Sequence, residues 1–233
     1  MQKFTSIILS SHDTNEFDRI YVMYTLEQGL VRAVAKGTRK PTAKLAGHLE
    51  PGTLSEVYIA RARGLGQITG AITLRDFSNI KKDFEKLGNV LKIFRFFGKN
   101  FAEGEKDEKI FSLLDNFLSQ SSTLEPGYGI IAEAFWWKLF DRLGQRPEVM
   151  KCVSCRKKLA EKTKKFFSVE KGGIVCAACV SNFSKSLSLT NNQIKLLRIF
   201  LGNSLEKIAK VKVGKGELLG LGRIRESFER YNF

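Results

Sequence analysis

The four cysteines of this 233-residue chain all fall between residues 152 and 179, as two C-x-x-C pairs, Cys152 with Cys155 and Cys176 with Cys179. A C-x-x-C turn presents two thiolates to one side of a metal, and zinc takes four such donors at about 2.3 Å in a tetrahedron. Two turns close that shell and leave no position for substrate. The spacing therefore predicts a structural four-cysteine site holding one Zn2+ per chain. The stretches KKFFSV (164–169) and GGIVC (172–176) between the pairs predict the hairpin of a zinc ribbon. A pair of redox dithiols is the alternative, but neither C-x-x-C opens a helix after a βαβ pattern. Four clustered cysteines are also a meagre disulfide framework, which points to a reducing compartment.

A second chemistry is electrostatic. Between Glu27 and Glu50 there is no acidic residue, while Arg32, Lys36, Arg39, Lys40 and Lys44 lie inside that window. Arg32 and Lys36 alternate with Ala33 and Ala35 as on a half-buried strand, which puts the cations on one face and the alanines on the other. Gly37 and Pro41 then turn the chain into a loop. Such a segment suits a partner with regularly spaced phosphates; a solvated basic hairpin without ligand is the alternative. The whole chain carries 39 Lys and Arg against 24 Asp and Glu, a net charge of +15 with a pI near 9.7, more than solubility requires. Lys157, Lys158, Lys162, Lys164 and Lys165 make the cysteine module basic as well. They read either as a second phosphate contact or as a solvated loop.

Catalytic chemistry is sparse. There is no G-x-x-x-x-G-K-[ST] phosphate loop, and the Gly214–Gly222 stretch GKGELLGLG lacks the preceding strand of a dinucleotide site, so it reads as a glycine-rich connection. His12 and His48 are the only histidines, and neither stands at metal-ligand or nucleophile spacing. Asp13, Glu16 and Asp18 read as turn caps and partners of Arg19 rather than as a hard-metal site. The chain is accordingly expected to be no enzyme.

The elements that must position these groups follow from periodicity. Phe4–Leu9, Arg19–Leu26, Leu30–Lys36, Leu54–Arg61 and Gly66–Leu74 read as five strands, with one helical turn within Pro41–Ala46. Five short strands with a helix or loop between the third and fourth predict an OB-fold barrel, an SH3-like barrel being the alternative. Beyond Asp76 the period becomes helical. Helices are expected over Val90–Phe101, Ile110–Leu118 (stopped by Pro126 and Gly127), Gly129–Leu143, Asn191–Leu201 behind a Thr190 N-cap, weakly over Leu205–Ala209, and over Leu218–Tyr231. Phe135, Trp136, Trp137 and Phe140 sit at helical spacing and read as core. The fold class is thus α+β and multidomain: an N-terminal OB-fold β-barrel over 1–78, an all-helical domain whose two parts span 79–150 and 181–233, and an inserted four-cysteine zinc ribbon over 151–180. The helices before Pro147 and after Leu187 are expected to pack together. No apolar run is long enough to span a membrane and the N-terminus lacks a signal-peptide pattern, which predicts a cytoplasmic protein.

Two stretches carry a resemblance. Ser11–Leu30 follows S-x-D-x-x-E-x-D-R-I-x-x-x-x-T-x-x-x-G-L, and Ala35–Pro51 follows A-x-G-x-R-K-x-x-x-K-L-x-G-x-L-E-P. Together with the order barrel, helices, zinc ribbon, these resemble the bacterial RecO family of recombination mediators across essentially the whole chain. The resemblance implies binding of single- and double-stranded DNA, ATP-independent annealing of complementary strands, binding of the acidic C-terminal tail of single-strand-binding protein, and loading of RecA together with RecR. It also implies that Arg32, Lys36, Arg39, Lys40 and Lys44 contact DNA and that the four cysteines hold zinc. Two rival readings remain at this level: an OB-fold protein of structured RNA, and a nuclease or polymerase accessory factor whose basic face meets protein.

Overall fold

The structure, a computed structural model, describes residues 1–41, 43–60, 64–123 and 127–233. It divides into two compact units, Met1–Thr123 and Leu124–Phe233. The first is built on β1 (Gln2–Asp13), β2 (Arg19–Thr25), β3 (Gly29–Ala35), β4 (Thr53–Ala60) and β5 (Gly66–Asp76), closed in the order β1-β2-β3-β5-β4. β1 pairs antiparallel with both β2 and β4, and β3 meets β5 in parallel through Ala33–Gly66 and Val34–Gln67. This is the OB arrangement rather than the SH3-like one. The barrel interior is filled by alternating residues, among them Phe4, Ile8, Tyr21, Met23, Ala33, Ala35, Val57, Ile59 and Ile68. Ala33 and Ala35 do point inward, as their alternation with the cations requires. The single helical turn between β3 and β4, α1, spans Leu45–His48, a few residues later than expected. Arg61 and Pro126, assigned above to a strand end and a helix stop, lie outside the described residues.

The first unit also contains α2 (Ser78–Lys81), α3 (Phe84–Asn100) and α4 (Glu108–Thr123). Asp83 caps α3 by accepting the backbone N–H of Glu85 and Lys86. Tyr24, on β2, stacks edge-on against Phe97 (4.9 Å between ring centroids) and Phe101 (5.2 Å) of the α3 end, and lies 6.5 Å from Phe111 of α4. These aromatics bind the two helices to the outside of the barrel.

In the second unit, α5 (Tyr128–Arg142) packs against α6 (Asn191–Gly202), α7 (Leu205–Ile208) and α8 (Lys215–Asn232). Only α5 of the central helices belongs to this bundle; α3 and α4 fall in the barrel's unit. Phe135, Trp136, Trp137 and Phe140 are buried, and Trp137 and Phe140 meet Phe228 of α8 at 5.8 and 5.4 Å. The aromatic run of α5 is therefore core. α6 starts with the predicted Thr190 cap, completed as a capping box by Gln193.

The glycine-rich stretch is not a connection. It is helical from Lys215, the first two turns of α8, with Gly214 as N-cap. A Cβ on Gly220 would stand 2.0 Å from Gln193 Nε2, so a glycine there lets α8 close on α6, and Gln193 donates to the Glu217 carbonyl across the contact at 3.3 Å. Close helix approach outweighs the low helix propensity of glycine. Among the described residues no helix is long and apolar enough to cross a membrane.

Candidate nucleic-acid interface and metal centre

The basic loop follows directly from β3 and is held in place by the loop between β1 and β2. Gly37, at φ +68°, makes the turn that lets its N–H point at Asp18, whose Oδ1 accepts it at 2.8 Å. The Arg39 N–H donates to the Phe17 carbonyl at 3.1 Å, and Lys40 Nζ stands 5.4 Å from the centre of the Phe17 ring. Within the loop, Lys40 donates its N–H to the Gly37 carbonyl (3.1 Å) and Ala43 to that of Lys40 (2.9 Å), and the buried Thr38 hydroxyl donates to the Ala35 carbonyl. The N–H of Gly37 holds the Asp18 carboxyl below its usual range, and Arg19 does the same for Asp13. The acidic residues of Ser11–Leu30 thus anchor the cations of Ala35–Pro51. The two stretches that carry the family resemblance are two halves of one structural clamp.

The five cations differ in what surrounds them. Lys36, Arg39, Lys40 and Lys44 are exposed. Arg39 lies 3.4 Å from Asp13 Oδ2, an acid that also accepts from Arg19 at 2.8 Å. Arg32 is half-buried and occupied: its guanidinium meets Glu103 Oε1 at 2.5 Å and donates to the Gly98 carbonyl at 3.3 Å. Sequence alternation placed Arg32 with Lys36 on the cationic face of the strand; Glu103, 71 residues away, left no local signal of the pairing. His48 is structural, with Nδ1 accepting the Thr73 N–H at 3.3 Å and lying 3.0 Å from the Thr73 hydroxyl.

In the second unit the four cysteine sulfurs lie within 4.8 Å of one another, and Cys155 Sγ is 3.9 Å from Cys176 Sγ. Four sulfurs around a tetrahedral zinc at about 2.3 Å would stand about 3.8 Å apart, so the donor set has the dimensions of a metal shell. The knuckles are built by backbone bonds: Cys152 donates to Lys157 and accepts from Arg156, each at 3.0 Å, and Cys179 donates to Cys176 at 3.0 Å. Burial pushes the Cys152 thiol up, but the N–H groups of Cys176, Cys155 and Ser154 outweigh it and bring the thiol down to about 6. Donors gathered on that sulfur favour the thiolate, the form that ligates metals. These residues can hold a metal ion.

The hairpin between the knuckles is β6 (Lys165–Ser168) and β7 (Gly173–Cys176), as predicted. A third strand, β8 (Ser186–Leu189), joins β6 on its other edge. At four residues, SLSL, its polar–apolar alternation is too short to distinguish a strand from a loop in sequence. Lys165 is not a surface cation: it is buried, and its ammonium donates to the carbonyls of Glu161 (3.0 Å) and Thr163 (2.8 Å) and to Asn191 Oδ1 (2.8 Å).

A closed OB-type barrel with a clamped basic loop, followed by a helical unit with four clustered cysteines able to hold a metal ion, defines a modular α+β protein. Two family models divide the chain between them: Recombination protein O N terminal matches residues 1–77 and Recombination protein O C terminal matches 81–232. A DNA repair protein RecO of Dehalococcoides mccartyi is 32% identical over 220 residues, covering 91% of this chain and 83% of its own. That of Desulforamulus reducens is 28% identical over 229 residues, with 98% and 88% covered. A third, from Roseiflexus, is 30% identical over 210 residues, with 89% and 72% covered. The chain belongs to the RecO family of DNA repair proteins.

Proposed function

We propose that this chain is a recombination mediator that binds single- and double-stranded DNA through the basic loop of its barrel and anneals complementary strands without ATP. With RecR it helps load RecA onto DNA coated by single-strand-binding protein, whose acidic C-terminal tail it binds. The observation that carries the reading is the clamped loop, with Lys36, Arg39, Lys40 and Lys44 exposed on a segment fixed by Asp18 and Phe17. Strands pair slowly because two polyanions repel. A preformed cationic surface replaces their condensed counterions, and base pairing then supplies the free energy. Phosphate contacts carry no sequence information, so binding is sequence-tolerant and salt-dependent.

We assign the barrel domain to residues 1–78 and the helical domain to 79–150 and 181–233, with the ribbon at 151–180 between them; α3 and α4 then belong to the helical domain by sequence, although they pack in the compact unit of the barrel. The metal is one structural Zn2+ held by Cys152, Cys155, Cys176 and Cys179, where it cross-links two knuckles and supplies no reaction chemistry. The protein works in the bacterial cytoplasm, at the nucleoid. The test is annealing of two complementary oligonucleotides, one labelled, without ATP and over a salt series. Salt-sensitive acceleration supports the reading. Tight binding without acceleration removes the annealing role, and preference for RNA over single-stranded DNA of equal length overturns the choice of partner.

A further inference from the structure

The net charge is unevenly placed. Residues 1–123 carry 18 Lys and Arg against 14 Asp and Glu, a net of +4, whereas residues 124–233 carry 21 against 10, a net of +11. Between residues 151 and 165 seven cations face one acid, Glu161. Six of the seven, Lys151, Arg156, Lys157, Lys158, Lys162 and Lys164, are exposed, and none makes an ion pair among the described residues. The barrel loop, by contrast, has Arg32 tied to Glu103 and Arg39 beside Asp13.

Two features set this cluster apart from an ordinary solvated lysine run. Lys151 and Lys158 are direct partners in an antiparallel bridge, which places two like charges side by side at a position where opposite charges or neutral pairs are favoured. Arg156 closes the first knuckle at φ 60°, the sole non-glycine at positive φ among the described residues, in a conformation that glycine adopts freely and L-residues avoid. Both choices work against the stability of the knuckle, and both add an unneutralised cation. Strain of this kind at a surface is retained where a ligand uses the group. The seventh cation serves the same surface: buried Lys165 ties the carbonyls of Glu161 and Thr163 to Asn191, which fixes the loop that displays Lys162 and Lys164.

We infer that the metal knuckle formed by Lys151, Arg156, Lys157 and Lys158, flanked by Lys162 and Lys164, is a second phosphate-backbone site for single-stranded nucleic acid. It is separate from the barrel loop and holds the incoming strand during annealing. The inference rests on the mediator reading above. Its chemistry is that of point charges and one guanidinium on phosphates, without base readout.

The test compares the full chain with Lys157→Glu/Lys158→Glu/Lys162→Glu, and with the same three positions changed to Gln. Each protein is checked first for bound metal and circular dichroism. A short oligothymidylate is titrated at low salt, and annealing rates are measured on the same samples. The wild type is expected to take two oligonucleotides per chain and the Glu variant one, with annealing slowed at least tenfold and metal retained. The Gln variant should fall between them, with a binding slope against salt shallower by about 2, at roughly 0.7 for each phosphate that is no longer neutralised. Wild-type stoichiometry and annealing in metal-replete variants overturn the inference and leave the mediator reading standing. So does competition for this surface by polyglutamate but not by the oligonucleotide, which would make it an acidic-peptide site. A wild type that neither binds DNA nor anneals overturns the mediator reading itself.

Discussion

If the barrel loop binds DNA as proposed, the pairing of Arg32 with Glu103 holds one phosphate contact in reserve, and Glu103→Gln should release it. Both side chains are substantially exposed, 36% for Arg32 and 50% for Glu103, so breaking the pair costs little stability, within about 0.5 kcal/mol. The backbone bridges of Glu103 to Gly29 and Leu30 do not involve its carboxylate and survive the change. In the wild type, Lys36, Lys40 and Lys44 are the loop cations that make no ion pair among the described residues, so the barrel site by itself contributes about −2.1 to the log–log salt slope for single strands, from three contacts at roughly 0.7 each. Freeing Arg32 adds a fourth and steepens that contribution to about −2.8. Referred to 1 M salt, that is about fivefold tighter binding at 0.1 M. Fluorescence anisotropy of a labelled oligonucleotide over a salt series of about 0.05–0.3 M reads both quantities, and melting curves report whether the fold is kept. The gain must vanish in an Arg32→Ala background, which makes a double-mutant cycle of it. Unchanged slope and affinity for Glu103→Gln, or a gain that persists without Arg32, would show that Arg32 does not face DNA.

Other consequences follow from the same geometry. Lys40→Glu with Lys44→Glu should weaken single-strand binding about 25-fold or more at 0.1 M salt and flatten the slope by about 1.4, with circular dichroism unchanged. Elemental analysis should find one zinc per chain; Cys152→Ser, which removes the buried ligand, should lose it and lower the melting transition of residues 124–233 while that of the barrel unit persists. Glu133→Ala should destabilise that same unit by about 3 kcal/mol in denaturant titrations. The buried carboxylate accepts from Trp137 Nε1 at 2.9 Å and Arg225 Nε at 3.1 Å; without it Trp137 loses its acceptor and Arg225 is left with Glu226, Glu229 and the Trp136 ring. Arg156→Gly should raise the stability of the metal module by up to about 1 kcal/mol, since glycine removes the left-handed strain, while slowing annealing.

The parts of this molecule that were legible in sequence are those whose signal is local. Strand alternation located all five barrel strands, three-and-four spacing located the long helices, and the C-x-x-C spacing located four sulfurs that the fold brings within 4.8 Å. What sequence missed are pairings over long separations and conflicts between propensity and packing. Nothing near Arg32 announces Glu103, and nothing near Lys165 announces that Asn191 will accept from its ammonium. The glycines of GKGELLGLG argue against a helix unless the approach of α8 to Gln193 is known. Counting cations therefore did not separate Arg32 and Lys165, which have partners in the fold, from the exposed cations around them.

That difference changes how the charge of +15 should be understood. A family member that only had to hold one strand could place its cations on the barrel, yet the barrel unit is nearly balanced, at +4, and neutralises two of its own five loop cations. Annealing asks for a different distribution. If one surface bound both strands with the full charge, each would be held too tightly to exchange or slide into register, because every contact adds to the salt-dependent affinity. On the proposed mechanism, dividing the charge between a moderate barrel site and a separate knuckle keeps each strand weakly enough held to search for its complement while both remain on one protein. The clamp of Asp18 on Gly37 and the tether of Lys165 to Asn191 then have the same purpose in the two units: each fixes the backbone that carries the cations, so that binding spends little on ordering the loop.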